Sequence, residues 1–255
     1  MTQARLPKPD LSVVIPAFNE AIRLPETLRR LEAFCVNRSE LVQVIVADDG
    51  STDDTVAVAR TFADRLNLRV VSLSKNSGAG AALSAGVKAA SGKNILICDA
   101  DGPVPFEHIS RLERAIELGS QIAVGSRLLK HSSSKRPQPL FRQTIGKVWV
   151  FLVQFILPLN VRDTQCGFKL FTRGAAHRIF ASLQEKGFAF HVESLLLAQE
   201  YGYKIKEVPI HWDDSPGSKI NLLKDPITMF WGLLRIRQNY PAAGLSRPEE
   251  QSHGR

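Results

Sequence analysis

The sequence predicts an α/β protein with a mostly parallel sheet flanked by helices, and three observations carry this prediction. Short apolar runs alternate along the first half with longer segments whose apolar residues recur at helical spacing. Polar and glycine-rich residues, typical of turns, follow each apolar run. The sequence contains no internal repeat. Strands that alternate with helices form βαβ units, whose right-handed crossovers bring the carboxyl ends of the strands to one edge of the sheet.

The elements of the first half can be assigned in order. The first strand spans residues 11–15, and the helix after it extends to about Val36 because its apolar residues keep helical spacing. Four further apolar runs predict strands at residues 42–47, 68–73, 94–98 and 121–124. Helices are predicted after the second strand, over residues 80–90 and over residues 106–118. The second half is less regular, with short strands predicted near residues 169–171 and 205–211.

Composition indicates a soluble globular protein, since 44% of the 255 residues are hydrophobic and 23% are charged. The three cysteines, Cys35, Cys98 and Cys166, lack the spacing of a metal site or a disulfide framework, which favours reduced thiols. The first apolar run is too short for a signal peptide and ends at Pro16. We therefore expect a cytoplasmic location, and a polar tail without fixed structure over residues 241–255.

The charge distribution indicates an anionic partner. The net charge is +8, and no acidic residue stands between Glu117 and Asp163. The basic residues of that window are Arg127, Lys130, Lys135, Arg136, Arg142, Lys147 and Arg162. A field of one sign suits phosphates, an acidic membrane surface or nucleic acid.

An apolar segment over residues 148–159 follows the basic window and is interrupted only by Gln154. A helix that spans a membrane needs about 20 apolar residues, so this segment is too short to cross a bilayer. Its composition alone leaves two interpretations open, a buried core helix or a helix in the membrane interface.

Acidic residues stand where the fourth predicted strand ends. Asp99 and Asp101 follow the apolar run 94–98, at the edge where ligands bind in open α/β sheets. Burying an unpaired carboxylate is costly, so two such acids at a strand end indicate a function. Carboxylate oxygens suit Mg²⁺ or Mn²⁺ and leave coordination positions for phosphate oxygens. Taken alone, Asp-x-Asp is equally typical of a turn or a helix cap.

Three other polar segments end strands of the same predicted sheet, at residues 16–20, 48–53 and 75–80. With the two acids they predict a cleft that suits a nucleoside diphosphate, because carboxylates can bind base, ribose and metal while cations of the basic window bind phosphates. Gly78 and Gly80 do not form a dinucleotide fingerprint, because Leu83 stands where the third glycine belongs. A P-loop is excluded as well, since no lysine–serine pair follows the glycines.

Several spaced motifs resemble those of the family 2 glycosyltransferases, which have the GT-A fold. In the first half they are Val14–Glu20, Val46–Asp53, Asn76–Ala82 and Asp99–Asp101. In the second half Gly125–Arg127, Arg162–Phe171 and Gly217–Lys219 resemble the dolichyl-phosphate β-glucosyltransferases and other polyprenyl-phosphate glycosyltransferases. The resemblance implies one GT-A domain over residues 10–240, with a nucleotide-sugar-binding half (10–127) and a helical, acceptor- and membrane-facing half (128–240).

The resemblance also implies a role for each matching residue. The donor nucleotide would contact Pro16, Phe18, Glu20, Asp48, Asp49 and Lys75. Asp99 and Asp101 would hold Mg²⁺ or Mn²⁺, with Asp101 the stronger candidate for direct contact, and would act in catalysis together with Arg127. The phosphates would be bound by Arg142, Arg162, Gln165 and Lys219.

The activity that the resemblance implies is inverting transfer of a hexose, glucose from UDP-glucose first, to a polyprenyl or dolichyl monophosphate. The lipid phosphate is already an anion, so its attack on the anomeric carbon needs no strong general base. The apolar segment 148–159 is then expected at the membrane interface, with the protein peripherally bound on the cytoplasmic face. The membrane-spanning helices of many relatives have no counterpart in this sequence, which is why the contact is expected to be peripheral.

Two other positions depart from the family pattern. His191 stands where an acid is expected, which weakens a metal or base role there, although Glu193 remains. The loop Asn76–Gly78 lacks a basic residue that is often found in it.

Several alternatives stay open from the sequence. The donor could be GDP-mannose or the acceptor a soluble glycan, and a catalytically silent nucleotide-sugar-binding relative fits the same motifs. A nucleotidyltransferase is disfavoured, because Pro16–Glu20 is not a glycine-rich loop with a lysine. A nucleic-acid partner is not expected despite the isoelectric point near 9.6, because few aromatic residues are interleaved with the basic ones. The sequence does not determine the oligomeric state.

Overall fold

The computed structural model describes residues 8–134, 140–213 and 224–241, and these residues form a seven-stranded sheet flanked by helices. The strands are β1 Leu11–Ala17, β2 Val42–Asp48, β3 Leu68–Ser72, β4 Asn94–Ile97, β5 Ile122–Ser126, β6 Lys169–Thr172 and β7 Ile205–Pro209. The helices are α1 Leu24–Val36, α2 Thr55–Arg60, α3 Ala79–Ala89, α4 Ile109–Glu117, α5 Leu140–Ile156, α6 Arg173–Ser182, α7 Phe190–Glu200 and α8 Lys224–Asn239.

The strand order in the sheet is β3-β2-β1-β4-β6-β5-β7, and every strand except β6 runs in the same direction. The predicted mostly parallel sheet is therefore confirmed, with one reversed strand that the sequence did not indicate. β6 begins at Lys169, which pairs with Ile97 of β4 and Val124 of β5. The segment before β6 consequently lies at the carboxyl edge of the parallel strands, beside Asp99 and Asp101.

Both faces of the sheet are covered, and each cover forms its own hydrophobic cluster. On one face the strands pack against α3, α5, α6, α7 and α8. On the other face they pack against α1, the segment after α2, and α4. Neighbouring residues of β1, such as Val13 and Val14, are therefore both fully buried. This explains why its sequence is a continuous apolar run instead of an alternating one.

The apolar segment 148–159 has some side chains buried in the core and others exposed at the surface. It belongs to α5, which begins earlier than predicted, at Leu140, and ends at Ile156. Trp149 and Val153 are buried in the core, whereas Phe151 and Phe155 are 65% and 79% exposed. Across the described ranges, no helix has the length and apolar character needed to span a membrane.

Helices α6, α7 and α8 were not located from the sequence. In α7 every residue from Phe190 to Ala198 is buried, so the helix has no polar face and no readable amphipathic period. Residues 217–219, which form the motif Gly217–Lys219, and the residues beyond Pro241 lie outside the described residues. The single domain over residues 10–240 and its division at residue 127 stay predictions.

Candidate functional site

Two carboxylates at the end of β2 are held by backbone N–H groups. Asp49 is buried, and its oxygens accept hydrogen bonds from the amides of Ser77 (2.7 Å) and Gly78 (2.8 Å). Asp48 accepts a hydrogen bond from the amide of Ser51 at 3.1 Å. These bonds fasten the β2–α2 turn to the loop before α3, so the segments around residues 48–51 and 75–78 form one surface.

The loop after β1 lies beside that surface. Pro16 is the sixth residue of β1, and the Phe18 side chain is 36% exposed at the strand end. Glu20 is buried, and its amide donates to Thr55 Oγ1 at 2.7 Å. Its carboxylate accepts hydrogen bonds from Arg23, one of them from Nε at 2.7 Å.

Asp99 and Asp101 follow β4 at the same edge, as predicted. Burial and the neighbouring charge of Asp101 raise the pKa of Asp99 to about 6, although Lys169, Arg127 and Arg23 act in the opposite direction. Asp101 Oδ2 accepts a hydrogen bond from Arg23 Nη1 at 3.0 Å. Arg23, which the sequence analysis did not single out, therefore touches both Glu20 and Asp101.

The turn over residues 162–168 lies directly against Asp99. Gly167 is so close that a Cβ at this position would collide with the Asp99 carboxylate. The turn is fastened by the buried ammonium of Lys169, which donates to the carbonyls of Thr164 (3.1 Å) and Cys166 (2.6 Å). Burial lowers the pKa of Lys169 to about 8.

The third hydrogen bond of Lys169 goes to Nδ1 of His191 at 3.0 Å. An ammonium only donates, so Nδ1 accepts and the neutral ring carries its proton on Nε2. Burial and the charge of Lys169 lower the pKa of His191 well below its usual value. Glu193 is buried elsewhere and accepts hydrogen bonds from the Gln184 and Glu185 amides and from the Tyr240 hydroxyl, so its contacts are structural.

Arg127 is paired with Asp163. Its Nε and Nη2 donate to the two oxygens of that carboxylate, each at 2.8 Å, and the guanidinium lies 5.5 Å from the centre of the Trp212 ring. Burial alone would raise the pKa of Asp163, but the Arg127 charge and hydrogen bonds lower it below its usual value. Asp163 is 2% exposed and the Arg127 side chain 31%, so this is a bidentate ion pair in which the carboxylate is buried and the guanidinium half-buried.

A small cavity opens between these elements and is lined, among others, by Asp99, Arg127, Gln165, Gly167 and Trp212. The Gln165 Nε2 group is buried and has no hydrogen-bond partner among the residues that the structure describes. A buried donor without a partner is costly, so this one is a candidate to bind an oxygen of a ligand.

The structure thus brings together only some of the predicted site residues. Asp99, Arg127 and Gln165 line the cavity, and Asp101 lies next to them. Lys75 and Arg162 are exposed; the Lys75 carbonyl accepts from the Ser77 hydroxyl, and the Arg162 amide donates to Glu207. The side chain of Arg142, whose backbone belongs to α5, and the whole of Lys219 lie outside the described residues.

A divalent cation fits the two acids only together with a ligand. Among the residues described, no group of three or more His, Cys, Asp and Glu could hold a metal ion. Asp99 and Asp101 supply two carboxylates, and burial together with the charge of Asp101 raises the pKa of Asp99. Mg²⁺ is commonly bound by one or two carboxylates with substrate phosphates and waters, which is the set that this site could complete.

Solved structures share this fold. Glucosyl-3-phosphoglycerate synthase from Mycobacterium tuberculosis, in complex with Mn²⁺ and UDP-glucose, superposes with a TM-score of 0.67. It is 21% identical, and the match covers 94% of this chain and 80% of that one. The complex of the same enzyme with UDP alone gives a TM-score of 0.65 at 20% identity. The fold is that of the GT-A glycosyltransferases, as the resemblance implied.

Sequence relatives are similar along most of the chain. Human dolichyl-phosphate beta-glucosyltransferase is 37% identical over 248 residues, which cover 92% of this chain and 76% of the human protein. The Saccharomyces cerevisiae enzyme of the same name is 34% identical over 249 residues, covering 90% and 75%. Residues 12–180 match the model of the family described as Glycosyl transferase family 2. That match exceeds half of the chain, and the chain belongs to glycosyl transferase family 2.

Proposed function

We propose that this protein transfers glucose from UDP-glucose to a polyprenyl or dolichyl monophosphate, with inversion, giving a β-linked lipid-phosphate sugar. One observation carries the proposal. The chain is 37% identical over 92% of its length to an enzyme named for this acceptor and this linkage, and its Asp99, Arg127 and Gln165 line one cavity. The donor nucleotide is proposed at Asp48, Asp49 and the segment from Pro16 to Glu20.

The chemistry requires one displacement. A phosphate oxygen of the acceptor forms a bond to the anomeric carbon, while the bond from that carbon to the UDP oxygen breaks and UDP leaves with the electron pair. No proton has to be removed from the acceptor, so the site needs orientation and charge stabilisation more than a general base. A divalent cation, when bound at Asp99 and Asp101, would neutralise charge on the departing diphosphate.

The residues of this chain have separable parts in that step. The Gln165 Nε2 group can donate to a phosphate or sugar oxygen, because no described residue accepts a hydrogen bond from it. Arg127 uses Nε and Nη2 on Asp163, so any contact with phosphate would use the remaining N–H groups of its fork. The nearby charges of Lys169 and Arg127 help Asp99 to stay ionised.

Membrane contact is proposed at an apolar surface made by α5 and α8. We define the apolar surface as Val148, Phe151 and Phe155 of α5 with Ile227 and Trp231 of α8, all of which are more than half exposed. The spacing in each helix puts its members on one face, and the rings of Phe151 and Phe155 lie 6.0 Å apart. Exposed aromatic side chains on helices, near a basic window, are typical of binding to an anionic membrane surface.

The location on the cytoplasmic side of that membrane is also a proposal. Its support is that all three cysteines of the chain are free thiols, which favours a reducing compartment.

The transfer assay tests the reaction. Purified protein, radiolabelled UDP-glucose, Mg²⁺ or Mn²⁺ and a polyprenyl phosphate should give label in the organic phase that is lost with EDTA and in Asp101→Ala. Asp64→Ala removes an exposed acid outside the site and should keep the activity. Label from GDP-mannose, or transfer to a soluble glycan without transfer to lipid, would replace the proposed substrates by the alternatives.

Liposome flotation tests the membrane surface separately. Phe151→Ser combined with Phe155→Ser should reduce binding to anionic liposomes while leaving transfer to a short, water-soluble polyprenyl phosphate. Leu118→Ser is the matched control, since Leu118 is 72% exposed on α4, away from α5 and α8. Equal loss of liposome binding in both variants would contradict the assignment of the apolar surface.

A further inference from the structure

Arg23 links two carboxylates to which the sequence analysis gave different roles. Its Nε and Nη2 donate to the two oxygens of Glu20, at the proposed nucleotide pocket. Its Nη1 donates to Asp101 Oδ2 at 3.0 Å, at the proposed cation site. The planar guanidinium has enough donors to bind one carboxylate through two bonds and a second through one. One side chain, 19% exposed, therefore connects the two parts of the site.

Three side chains in α1 or just before its start form hydrogen bonds with the Asp-x-Asp segment. We call Arg23, Thr27 and Arg30 the ladder residues. Arg23, the residue directly before α1, and Thr27 and Arg30 of α1 lie on the same side because they are spaced four and three residues apart. Thr27 Oγ1 donates to the Ala100 carbonyl at 2.7 Å, and Arg30 Nη2 donates to the Gly102 carbonyl. Three successive residues after Asp99 are therefore each held from α1, and Arg23 alone among the ladder residues binds a carboxylate there.

The ladder residues Thr27 and Arg30 also explain why residue 102 is a glycine. This residue has a φ of +50°, and a Cβ there would lie 2.8 Å from Thr27 Oγ1 and would collide with Arg30 Nη2. The segment between Asp99 and Gly102 consequently has little room to move, which fixes the backbone from which Asp101 projects.

The positive charge of Arg23 also acts on Asp99 and Asp101. Asp99 and Asp101 repel each other, and the guanidinium supplies a positive charge next to them. A guanidinium stays protonated in proteins, and Arg23 is bound by the carboxylates of Glu20 and Asp101. A divalent cation that approached Asp101 without a counter-charge would meet this positive charge. The negative charge of a nucleoside diphosphate that bound together with the cation would compensate the positive charge of Arg23.

We propose that Arg23 is a positioning residue that makes cation binding depend on donor binding. It holds Asp101 through a hydrogen bond, and its charge weakens the binding of a divalent cation alone but not of a cation that binds with a nucleoside diphosphate. This inference rests on the proposed function, because it takes the donor to be a nucleoside diphosphate sugar bound together with a cation at Asp99 and Asp101.

Mn²⁺ binding tests the inference without any transfer reaction. Free Mn²⁺ is measured by electron paramagnetic resonance in titrations of wild type and Arg23→Met, each with and without UDP. Wild type should bind Mn²⁺ weakly alone and much more tightly with UDP. Arg23→Met should bind Mn²⁺ alone several-fold more tightly and should bind Mn²⁺ with UDP as tightly as wild type, so the factor by which UDP strengthens Mn²⁺ binding should fall by the same several-fold. Linkage requires the same change in the factor by which Mn²⁺ strengthens UDP binding.

Further variants separate charge from structure. Arg23→Gln should resemble Arg23→Met and provides a second neutral side chain if the Met variant does not fold. Arg23→Lys keeps the charge and should bind Mn²⁺ alone as weakly as wild type. Arg29→Met is the matched control, because it removes an arginine from the same helix that pairs with Glu26 at the exposed surface. It should leave both Mn²⁺ affinities unchanged.

The opposite results would overturn the inference. A purely structural Arg23 predicts that Arg23→Met weakens Mn²⁺ binding equally with and without UDP. In that case the factor by which UDP strengthens Mn²⁺ binding does not change. An unchanged factor would refute the proposed role while leaving the donor site intact. Wild type that shows the coupling but transfers no glucose to lipid would refute only the proposed acceptor. Wild type that binds neither Mn²⁺ nor UDP would refute both proposals.

Discussion

Two turns of the candidate site hold their carboxylates by different means: the turn after β2, on the proposed donor side, and the turn before β6, on the proposed acceptor side. On the donor side, Asp48 and Asp49 accept hydrogen bonds from backbone amides of neighbouring turns. On the acceptor side, Asp163 is paired with the guanidinium of Arg127, and the ammonium of Lys169 is held by carbonyls and a neutral histidine. Backbone amides are dipoles fixed by the fold, whereas the acceptor side relies on full charges. On the donor side Glu20 is the exception, because its carboxylate accepts hydrogen bonds from the Arg23 guanidinium.

This difference has an energetic consequence. A buried ion pair gains little net stability over apolar residues, yet removal of one partner leaves the other charged and buried, which is costly. A carboxylate that accepts from amides leaves smaller unpaired dipoles when it is changed. The acceptor side should therefore be the more sensitive of the two to single substitutions.

The largest effect expected is that of Arg127→Met. Asp163 is 2% exposed and would lose its charge partner, so we expect the free energy of unfolding to fall by about 3–5 kcal/mol. Asp49→Asn should cost less, about 1–3 kcal/mol, because the amide oxygen still accepts from one of the two backbone N–H groups. Urea unfolding followed by circular dichroism measures both values.

Two controls make that comparison decisive. Arg29→Met breaks an ion pair whose side chains are both more than half exposed, and it should change stability by only about 0–1 kcal/mol. Arg127→Met combined with Asp163→Leu removes both charges and should recover much of the loss. If Asp49→Asn were more destabilising than Arg127→Met, the contrast between the two sides would be wrong.

The next effect should appear in activity more than in stability. Gly167→Ala places a methyl group against the Asp99 carboxylate, so either Asp99 or the 162–168 turn must move. A shift of about 1 Å at a positioned catalytic group can cost roughly 100-fold in rate, and we expect a loss of that order in transfer to lipid phosphate.

Gly174→Ala is the matched control for this substitution. A Cβ at Gly174 meets nothing within 4 Å, so the variant should keep both activity and stability. Full activity in Gly167→Ala would mean that the contact between the turn and Asp99 does not matter for the reaction.

The same contrast explains what the sequence could and could not predict. The donor side consists of turns that follow strands, and parallel topology brings all such turns to one edge whatever their separation in the chain. Asp49, Asp99 and Asp101 could therefore be predicted from position alone. The acceptor side depends on pairs such as Arg127 with Asp163 and Lys169 with His191, for which the sequence has no periodic signal.

Other residues were missed for identifiable physical reasons. Lys169 is the first residue of β6 and one basic residue among many in the sequence, and its complete burial follows only from the reversed direction of that strand. Arg23 had a readable signal, since Arg23, Thr27 and Arg30 recur at helical spacing beside the apolar face of α1. That signal predicts a polar face of the helix, but the partner of the face becomes clear only once β1 and β4 are neighbours.

The smallest effect, and the one that examines the acceptor side most selectively, is the pH dependence contributed by His191. Burial and the charge of Lys169 lower the pKa of His191 in the folded protein, while the unfolded chain has the usual value of about 6.5. Below pH 6.5 the unfolded state therefore binds more protons, and the stability due to the neutral ring is lost as the pH falls. In His191→Asn the amide oxygen can replace Nδ1 as the acceptor for Lys169, and Asn does not titrate.

We therefore expect the loss of unfolding free energy between pH 7.5 and pH 5 to be smaller in His191→Asn than in wild type, as measured by urea unfolding at both values. His131→Asn is the matched control, because His131 is exposed and its φ of +80° is one that Asn tolerates. It should reproduce the wild-type loss. An identical loss in all three proteins would mean that Nδ1 of His191 is already protonated in the folded protein. The 3.0 Å contact would then join two donors, and the acceptor side would be held by something other than the Lys169–His191 pair.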